Sequence, residues 1–165
     1  MNKILITGSK GALAEALIAK LKEEKVKFTK AKNYLEFLRK VKKIRFDKIL
    51  HLGASNRFGQ NFDEYFFKNV LNFYNVLGYC KNTKILFAST DKVKDLINSK
   101  NEIDKIDSYA LSKLFSEKML VEKSIKNNLK FIILRFPSLM VFNERKKNIF
   151  YYLKKNINKN FRLIE

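Results

Sequence analysis

The sequence has little of what disulfide-bonded, fibrous or membrane proteins require. Its 165 residues include one cysteine, one proline and five glycines, which excludes an internal disulfide and is typical of a helix-rich globular domain. No apolar run approaches the roughly 18 residues of a membrane span, and the apolar start at residues 1–6 is too short for a signal peptide. Cys80 lies in an apolar stretch with a helical pattern, which favours a small core residue over a nucleophile. We therefore expect a soluble cytoplasmic protein without a membrane partner or a metal site.

Positive charge is in large excess. The chain has 35 lysines and arginines against 16 aspartates and glutamates, a formal net charge of +19, which brings nucleic acid into consideration as a partner. However, the lysines are spread over nearly every predicted helix, which indicates a general compositional bias more than a binding patch. Arg145, Lys146 and Lys147 form one local cluster, which we interpret as a solvated helix start. Nucleic-acid binding is therefore the least favoured of the functions considered.

Apolar runs of strand length alternate with amphipathic segments of helix length. This alternation predicts one α/β domain, a Rossmann-like doubly wound parallel sheet flanked by helices. The predicted strands are residues 3–7, 26–30, 48–52, 84–88 and 131–135, with a further short one at 161–164. The predicted helices are residues 12–24, 34–43, 62–81, 108–127 and 147–156. A long polar connection fills 89–107, and the single helix between the second and third strands leaves no room for an extra edge strand, so we expect a narrow sheet.

A glycine turn follows the first strand. Gly8 and Gly11 permit a tight turn whose backbone can approach a pyrophosphate at the N-terminus of the next helix, and Ala14 supplies the small residue that lets helix and strand pack closely. The same pattern is also that of a plain strand-to-helix connection. The residues predicted to contact a dinucleotide here are Gly8, Ser9, Lys10, Gly11, Ala12 and Leu13.

The end of the second strand bears on which dinucleotide is bound. NAD sites commonly place a carboxylate there for the ribose 2′-hydroxyl, whereas NADP sites place a basic group. Residues 27–32 read KFTKAK, without a carboxylate, and Lys10 could also reach a 2′-phosphate. The sequence therefore favours NADP(H) over NAD.

Tyr109 and Lys113 begin the helix after the long polar connection. Their spacing of four puts a phenol and an ammonium on one helical face, and a nearby cation would lower the pKa of the phenol and suit it to proton transfer. The alternative is an ordinary surface helix start. Ser89 and Thr90 end the preceding strand, where an open α/β sheet has its ligand crevice, and a hydroxyl there can orient a substrate hydroxyl or carbonyl.

In this order the motifs resemble those of the extended short-chain dehydrogenases/reductases, the branch that contains sugar-nucleotide epimerases, dehydratases and reductases. The matching segments are 3–11 (KILITGSKG), 49–54 (ILHLGA), 69–70 (NV) with 75–77 (NVL), 87–91 (FASTD), 109–113 (YALSK) and 133–137 (ILRFP).

The resemblance implies a role for each matching residue. Gly8 and Gly11 would line the pyrophosphate of NAD(P). Thr90 would touch the substrate, Tyr109 would exchange the hydroxyl proton, and Lys113 would hold the nicotinamide ribose while tuning Tyr109. The residues implied around the rest of the cofactor are Leu52, Gly53 and Ala54 on the adenosine side and Pro137 near the carboxamide.

Three further residues have less certain roles. His51 falls within the 49–54 motif and is interpreted as a structural core residue. Asp91 and Lys92 resemble the acid and base that manage loss of water in dehydratases of the family, although ordinary charged loop residues would look the same.

The sequence also departs from the family pattern. Residues 93–95 read VKD where an aromatic-glycine ending is usual, Ala14 replaces the third glycine, and the C-terminal lobe that selects a sugar nucleotide has no counterpart within the 165 residues. The resemblance implies dimerisation through the helices at 62–81 and 108–127. The leading hypothesis is an NAD(P)-dependent enzyme acting on a sugar nucleotide, and the alternative is a non-catalytic nucleotide-binding module.

Overall fold

A five-stranded parallel sheet forms the centre of the molecule. The computed structural model describes residues 3–56, 60–98 and 107–137. The strands pair in the order β2-β1-β3-β4-β5, which confirms the predicted doubly wound fold. Their bounds are β1 Ile4–Thr7, β2 Thr29–Ala31, β3 Lys48–His51, β4 Lys84–Thr90 and β5 Lys130–Phe136. Because the chain crosses back over β1 between β2 and β3, the strand order reverses there, and this is the point where open α/β sheets form a ligand crevice.

Helices cover both faces of the sheet. Their bounds are α1 Ala12–Glu23, α2 Tyr34–Lys43, α3 Phe62–Tyr65, α4 Asn72–Leu77, α5 Lys92–Asn98 and α6 Ser108–Asn127, and a π-helical segment, Phe66–Leu71, joins α3 to α4. In the described ranges, no helix is long and apolar enough to cross a bilayer.

Consecutive apolar residues in the central strands supply two separate cores. Leu5 and Ile6 are both fully buried and point to opposite faces, as expected where helices cover both sides. Leu5 joins the larger core, with Phe37 of α2 and Phe73 of α4. Ile6 joins the smaller one, with Ala14 of α1. A slip of one residue would therefore exchange the side chains that face the two cores.

Side-chain caps explain why two helices start where the sequence predicted. Asn33 accepts a hydrogen bond from Glu36 N at 3.0 Å, and Asp107 accepts from Tyr109 N and Ala110 N at 2.9 and 3.1 Å. Each cap satisfies N–H groups that have no partner within the helix. The predicted bounds 34–43 and 108–127 are both confirmed.

Several predicted bounds are wrong. The second strand begins at Thr29, not at residue 26, because Val26 N donates to Leu21 O and closes the end of α1. The strand predicted at 84–88 continues to Thr90, since its polar end still pairs with β5. The predicted polar connection contains α5, and the helix predicted at 62–81 ends at Leu77. The predicted elements at 147–156 and 161–164, and the basic cluster at 145–147, lie outside the described residues.

The edge of the sheet agrees with the prediction. Only α2 separates β2 from β3, and β2 pairs only with β1 among the described strands. The expected narrow sheet is therefore confirmed at this edge.

Candidate functional site

A cavity of about 440 Å³ opens at the carboxyl ends of β1 and β3. It lies at the point where the strand order reverses, and it has the size of a small-molecule site. Its described lining residues are Thr7, Gly8, Lys10, Gly11, Lys32, Asn33, Tyr34, Phe37, His51, Leu52, Gly53, Ala54, Ser55, Lys68, Asn72 and Phe73.

Glycine is required in the turn after β1. Gly8 has φ +64°, and a Cβ there would lie 2.4 Å from the Cα of Gly53, so the backbone of the turn packs directly against the backbone after β3. Gly11 N donates to Gly8 O at 2.7 Å and closes the turn. Gly11 is the N-cap of α1 without a side-chain cap bond, which leaves the first N–H groups of the helix available to an anion. The turn therefore fits a pyrophosphate.

The predicted cofactor residues fall into two groups. Gly8, Lys10, Gly11, Leu52, Gly53 and Ala54 line the cavity. Ser9, Ala12, Leu13 and Pro137 are outside the described lining. Ser9 and the start of α1 still belong to the turn, where Ser9 N donates to Ala31 O at 3.2 Å. Pro137 follows β5 and is exposed.

Two lysines face the cavity next to β2. Lys10 comes from the glycine turn, and Lys32 directly follows the last residue of β2. The carboxylate of Glu36 also approaches, because it accepts from Lys32 N at 2.9 Å, but Glu36 is not among the described lining residues. The sequence prediction considered only residues 27–32, which contain no carboxylate. It therefore missed Glu36, which the first turn of α2 brings close to the end of β2.

His51 forms the inner wall of the cavity. Its Nδ1 shares a hydrogen bond of 2.9 Å with Thr7 Oγ1, and its ring stacks on Phe73 and Phe87 at centroid distances of 4.3 and 5.5 Å. Burial, with a smaller contribution from the charge of Lys113, lowers the pKa of His51 to about 3. The imidazole is therefore neutral, and its predicted place in the core is confirmed.

Tyr109 lies half-buried at the start of α6. Its ring meets the ring of Tyr65 edge-on at 5.8 Å. Burial, then the charge of Asp107 and the neighbouring Tyr65, raise the pKa of Tyr109 to about 12. The predicted lowering of this pKa is therefore wrong for the protein without ligand, because loss of solvent around the phenol and the negative charge of Asp107 both disfavour the phenolate.

Lys113 lies in the core. The residue is 2% exposed, and its Nζ is 4.0 Å from the centroid of the Phe87 ring. Burial lowers the pKa of Lys113 to about 7, against the opposing charge of Glu117. The amine therefore changes charge close to neutral pH. This burial excludes the alternative that the Tyr109 and Lys113 pair is only a surface helix start.

Hydrogen bonds join the carboxyl end of β4 to the start of α6. Thr90 Oγ1 donates to Asp91 Oδ1 at 3.4 Å, and Lys92 Nζ lies 2.6 Å from Asp107 Oδ2. This hydrogen bond raises the pKa of Lys92. Burial alone would raise the pKa of Asp107, but the bonds from Lys92 and the backbone lower it overall. Lys92 is therefore already engaged by the residue that caps the helix of Tyr109.

Asn69 has a structural role that the sequence did not predict. The sequence placed it in a matching segment of the family and assigned it no function. It lies in the π-helical segment and is buried. Its side chain bonds both backbone groups of Ser55, accepting from N at 2.7 Å and donating to O at 3.0 Å, and it donates to Ser112 Oγ at 3.0 Å. Ser112 in turn donates to Tyr109 O at 2.7 Å. Asn69 thereby connects the wall of the cavity to the helix that carries Tyr109.

The cavity and the candidate catalytic residues around Tyr109 lie along the same carboxyl edge of the sheet but at different places. Thr90, Asp91, Lys92, Tyr109 and Lys113 are all outside the described lining of the cavity. A ligand that touches both would have to extend from β1 across β3 to β4.

Solved structures with the same fold come from several bacteria. dTDP-4-dehydrorhamnose reductase from Bacillus anthracis in complex with NADP aligns over 99% of this chain and 62% of its own, with 21% identity and a TM-score of 0.77. A short-chain dehydrogenase/reductase superfamily protein from Agrobacterium tumefaciens with bound NAD aligns over 82% and 49%, with 20% identity and a TM-score of 0.69. UDP-Glc/GlcNAc 4-epimerase from Campylobacter jejuni aligns over 82% and 53%, with 22% identity and a TM-score of 0.68.

Sequence comparison gives the family. No curated protein matches the chain, and the chain spans between 49% and 62% of the length of the three solved structures above. The model of the NAD dependent epimerase/dehydratase family matches residues 4–160. The chain therefore belongs to the NAD-dependent epimerase/dehydratase family.

Proposed function

We propose that this chain is the cofactor-binding part of an NAD(P)-dependent epimerase, dehydratase or reductase that acts on a sugar nucleotide. The observation that carries the proposal is the glycine turn at Gly8, which presents the uncapped N-terminus of α1 to a cavity of about 440 Å³. A dinucleotide needs this combination of free N–H groups, a positive helix end and a backbone without side chains.

The cofactor residues that we propose are those of the turn and of the segment after β3. The N–H groups of Ala12 and Leu13 would bind the pyrophosphate, and Ser9, whose own N–H donates to Ala31 O, would lie beside it in the turn. Lys10 would lie beside the adenosine end, Leu52 to Ala54 would flank the adenosine, and Pro137 would lie near the carboxamide.

Three side chains would act on the substrate. Bound NAD(P) supplies hydride exchange at its nicotinamide ring. Thr90 would hold a substrate hydroxyl or carbonyl at the end of β4, and Tyr109 would pass a proton to or from that oxygen. Lys113, buried one turn along α6, would place a positive charge near the phenolate and contact the ribose.

NADP(H) is the cofactor that we propose in preference to NAD(H). Lys10 and Lys32 both line the cavity at the end of β2, whereas Glu36 is directed to the backbone of Lys32. Two lysines at this end of the cavity suit a 2′-phosphate.

Sugar nucleotides are the proposed substrate class because family neighbours are named for them, including UDP-glucuronic acid 4-epimerase from Bacillus cereus. Elimination of water by Asp91 and Lys92 is the less favoured reaction, since Lys92 is bound to Asp107. Unchanged turnover in Asp91→Asn would remove the dehydratase hypothesis.

One observation favours the alternative, a module that binds cofactor without catalysis. The pKa of Tyr109 stands at about 12 in the protein without ligand, which disfavours proton transfer at neutral pH unless bound cofactor lowers it.

A homodimer is the proposed assembly. Phe67, Leu71 and Phe115 are large apolar side chains exposed on the helices between Phe62 and Leu77 and on α6. Sedimentation or light scattering of the protein and of Phe67→Asp would show a loss of dimer if these helices pair.

The function is tested in two steps. We expect NADPH fluorescence titration to give saturable binding, and we expect turnover on a panel of UDP- and dTDP-sugars to fall at least about a hundredfold in Tyr109→Phe. Absence of NAD(P) binding would contradict the proposal altogether. Binding without turnover on any sugar nucleotide would instead support the non-catalytic module.

A further inference from the structure

A charged pair joins the end of β4 to the start of α6. Lys92 Nζ donates to Asp107 Oδ2 at 2.6 Å. The other carboxylate oxygen, Asp107 Oδ1, accepts from Tyr109 N at 2.9 Å and from Ala110 N at 3.1 Å. The carboxylate therefore binds the lysine with one oxygen and the first turn of α6 with the other.

Lys92 extends from an anchored part of the backbone. Asp91 N donates at 3.0 Å to the carbonyl of the last residue of β5, which holds the residue before Lys92 to the sheet. Val93, the residue after it, is fully buried. The same stretch of backbone continues directly from Thr90, the last residue of β4. Asp107 is therefore bound by a side chain whose own backbone is fixed relative to the strand end.

The relative place of Thr90 and Tyr109 matters because, in the proposed function, both act on one substrate oxygen. A misplacement of about 1 Å between reacting groups can lower a rate about a hundredfold. Lys92 follows Thr90 by two residues, and Asp107 precedes Tyr109 by two residues. Contact between the two charged side chains therefore links the two reacting residues through short stretches of backbone.

Neither stability nor proton transfer accounts well for this pair. Its side chains are 55% and 36% exposed, and ion pairs at the surface contribute little to stability. A lysine that is bound to a carboxylate has to break that bond before it can accept a proton. The hydrogen bond and charge of Asp107, with smaller contributions from Asp91 and Asp95, raise the pKa of Lys92, which makes the amine a poor base.

We propose that Lys92 is a positioning residue, which holds Asp107 as the cap of α6 and thereby sets the place of Tyr109 relative to Thr90. The proposal rests on the proposed function, in which Tyr109 exchanges the proton. It also removes Lys92 from the groups that exchange a proton with the substrate.

Two substitutions of Lys92 separate positioning from proton transfer. Arginine keeps the positive charge and the hydrogen-bond donors but cannot give up a proton. We expect Lys92→Met to lower kcat about tenfold with KM changed less than about twofold, and Lys92→Arg to restore the wild-type kcat. Lys94→Met alters an exposed lysine of the same helix and is the matched control, expected to change nothing. An inactive Lys92→Arg would identify Lys92 as a base and overturn the proposal.

Asp107→Asn tests whether Lys92 acts through the cap. Asparagine caps helices as well as aspartate does, so the substitution removes the charge and keeps the bonds to α6. Because both residues act through one contact, Lys92→Met should cause no further loss of kcat in the Asp107→Asn background. A second loss of about tenfold in that background would show that Lys92 acts independently of Asp107, contrary to the proposal.

Amide hydrogen exchange gives a measurement that does not need turnover. In the whole protein without ligand, Lys92→Met should speed exchange at Tyr109 N and Ala110 N at least about threefold, whereas Lys92→Arg and Lys94→Met should not. Unchanged exchange in Lys92→Met, or faster exchange with an unchanged kcat, would overturn the proposal. A wild-type protein that turned over no sugar nucleotide would contradict the proposed function, and the exchange rates would still decide whether Lys92 holds the cap.

Discussion

Thr7 and His51 occupy matching positions of the neighbouring strands β1 and β3, and Thr7 Oγ1 lies 2.9 Å from His51 Nδ1. This bond is buried among the rings of Phe37, Phe73 and Phe87. Protonation of the imidazole would place a charge in an apolar wall without a carboxylate partner in its described surroundings. The pairing therefore holds at neutral pH and fails in acid.

The stability of the protein should fall below pH 6.5. The pKa of His51 is 6.5 in an unfolded chain and about 3 in the fold, so the folded state binds fewer protons between these values and stability is lost as pH decreases. The expected slope is about 1.4 kcal/mol per pH unit. Urea unfolding at several pH values measures it. Asp107 contributes only below its ordinary pKa of 3.8, and Lys113, with a folded pKa of about 7, contributes only near and above that pH. Among the described residues with a shifted pKa, the slope between these limits therefore comes from His51.

His51→Phe supplies the control for this prediction. The substitution keeps an aromatic ring in the stack and removes the titration, at the expense of the bond to Thr7. We expect a less stable protein at pH 7 whose stability hardly changes down to pH 4. A variant that retained the wild-type slope would assign the acid sensitivity to another group.

Gly8→Ala should abolish cofactor binding. The new Cβ would clash with Gly53 Cα at 2.4 Å in a backbone of φ +64°, and the destabilisation should be at least about 2 kcal/mol. Gly78→Ala is the matched control, because its φ is not positive and its Cβ would meet only Asn75 O at 3.3 Å. Denaturant unfolding and NADPH titration measure both effects. Normal NADPH affinity in Gly8→Ala would place the cofactor elsewhere.

Lys32→Glu should change which cofactor is preferred. Removing the cation beside β2 and adding an anion should weaken NADPH binding at least about tenfold, since a charge-assisted hydrogen bond to phosphate is lost. NADH binding should be unchanged or improved. Lys30→Glu alters an exposed residue of the same strand that is outside the described cavity lining, and it should leave the NADPH to NADH ratio unchanged. Equal weakening of both cofactors in Lys32→Glu would contradict a 2′-phosphate site.

Asn69→Ala should destabilise the fold by about 2 to 3 kcal/mol, because it leaves the partly buried backbone of Ser55 and the buried hydroxyl of Ser112 without their bonds to the amide. Asn75→Ala is the control, since Asn75 is exposed one turn beyond the π-helical segment. Urea unfolding compares the two. Equal stability would show that water replaces the Asn69 amide.

The arrangement of elements was largely predictable from the sequence because the local signals agreed with the tertiary fold. Amphipathic segments predicted the helices that Asn33 and Asp107 cap in the structure. Runs of consecutive apolar residues, such as the one that contains Leu5 and Ile6, predicted the central strands. The predicted bounds of strands and helices were wrong where pairing with residues far along the chain decides where an element ends. The predicted strand stopped at residue 88, where the apolar run ends, yet pairing with β5 continues through Ser89 and Thr90.

The glycine turn of the site was predictable for the same reason, since its chemistry is local. The pKa values of the candidate catalytic residues were not predictable. Spacing placed Tyr109 and Lys113 on one face, but the burial that raises one pKa and lowers the other comes from residues far along the chain. Glu117 meets Ser89 across 28 residues of sequence, and no local pattern indicates that contact.

The order of strands also determines when each part of the site comes into existence. β2 and β3 lie on the two edges of β1, and β4 and β5 extend the sheet in chain order. All described lining residues of the cavity lie between Thr7 and Phe73. During synthesis from the N-terminus, every described lining residue of the cavity is therefore made before Tyr109 and the rest of α6.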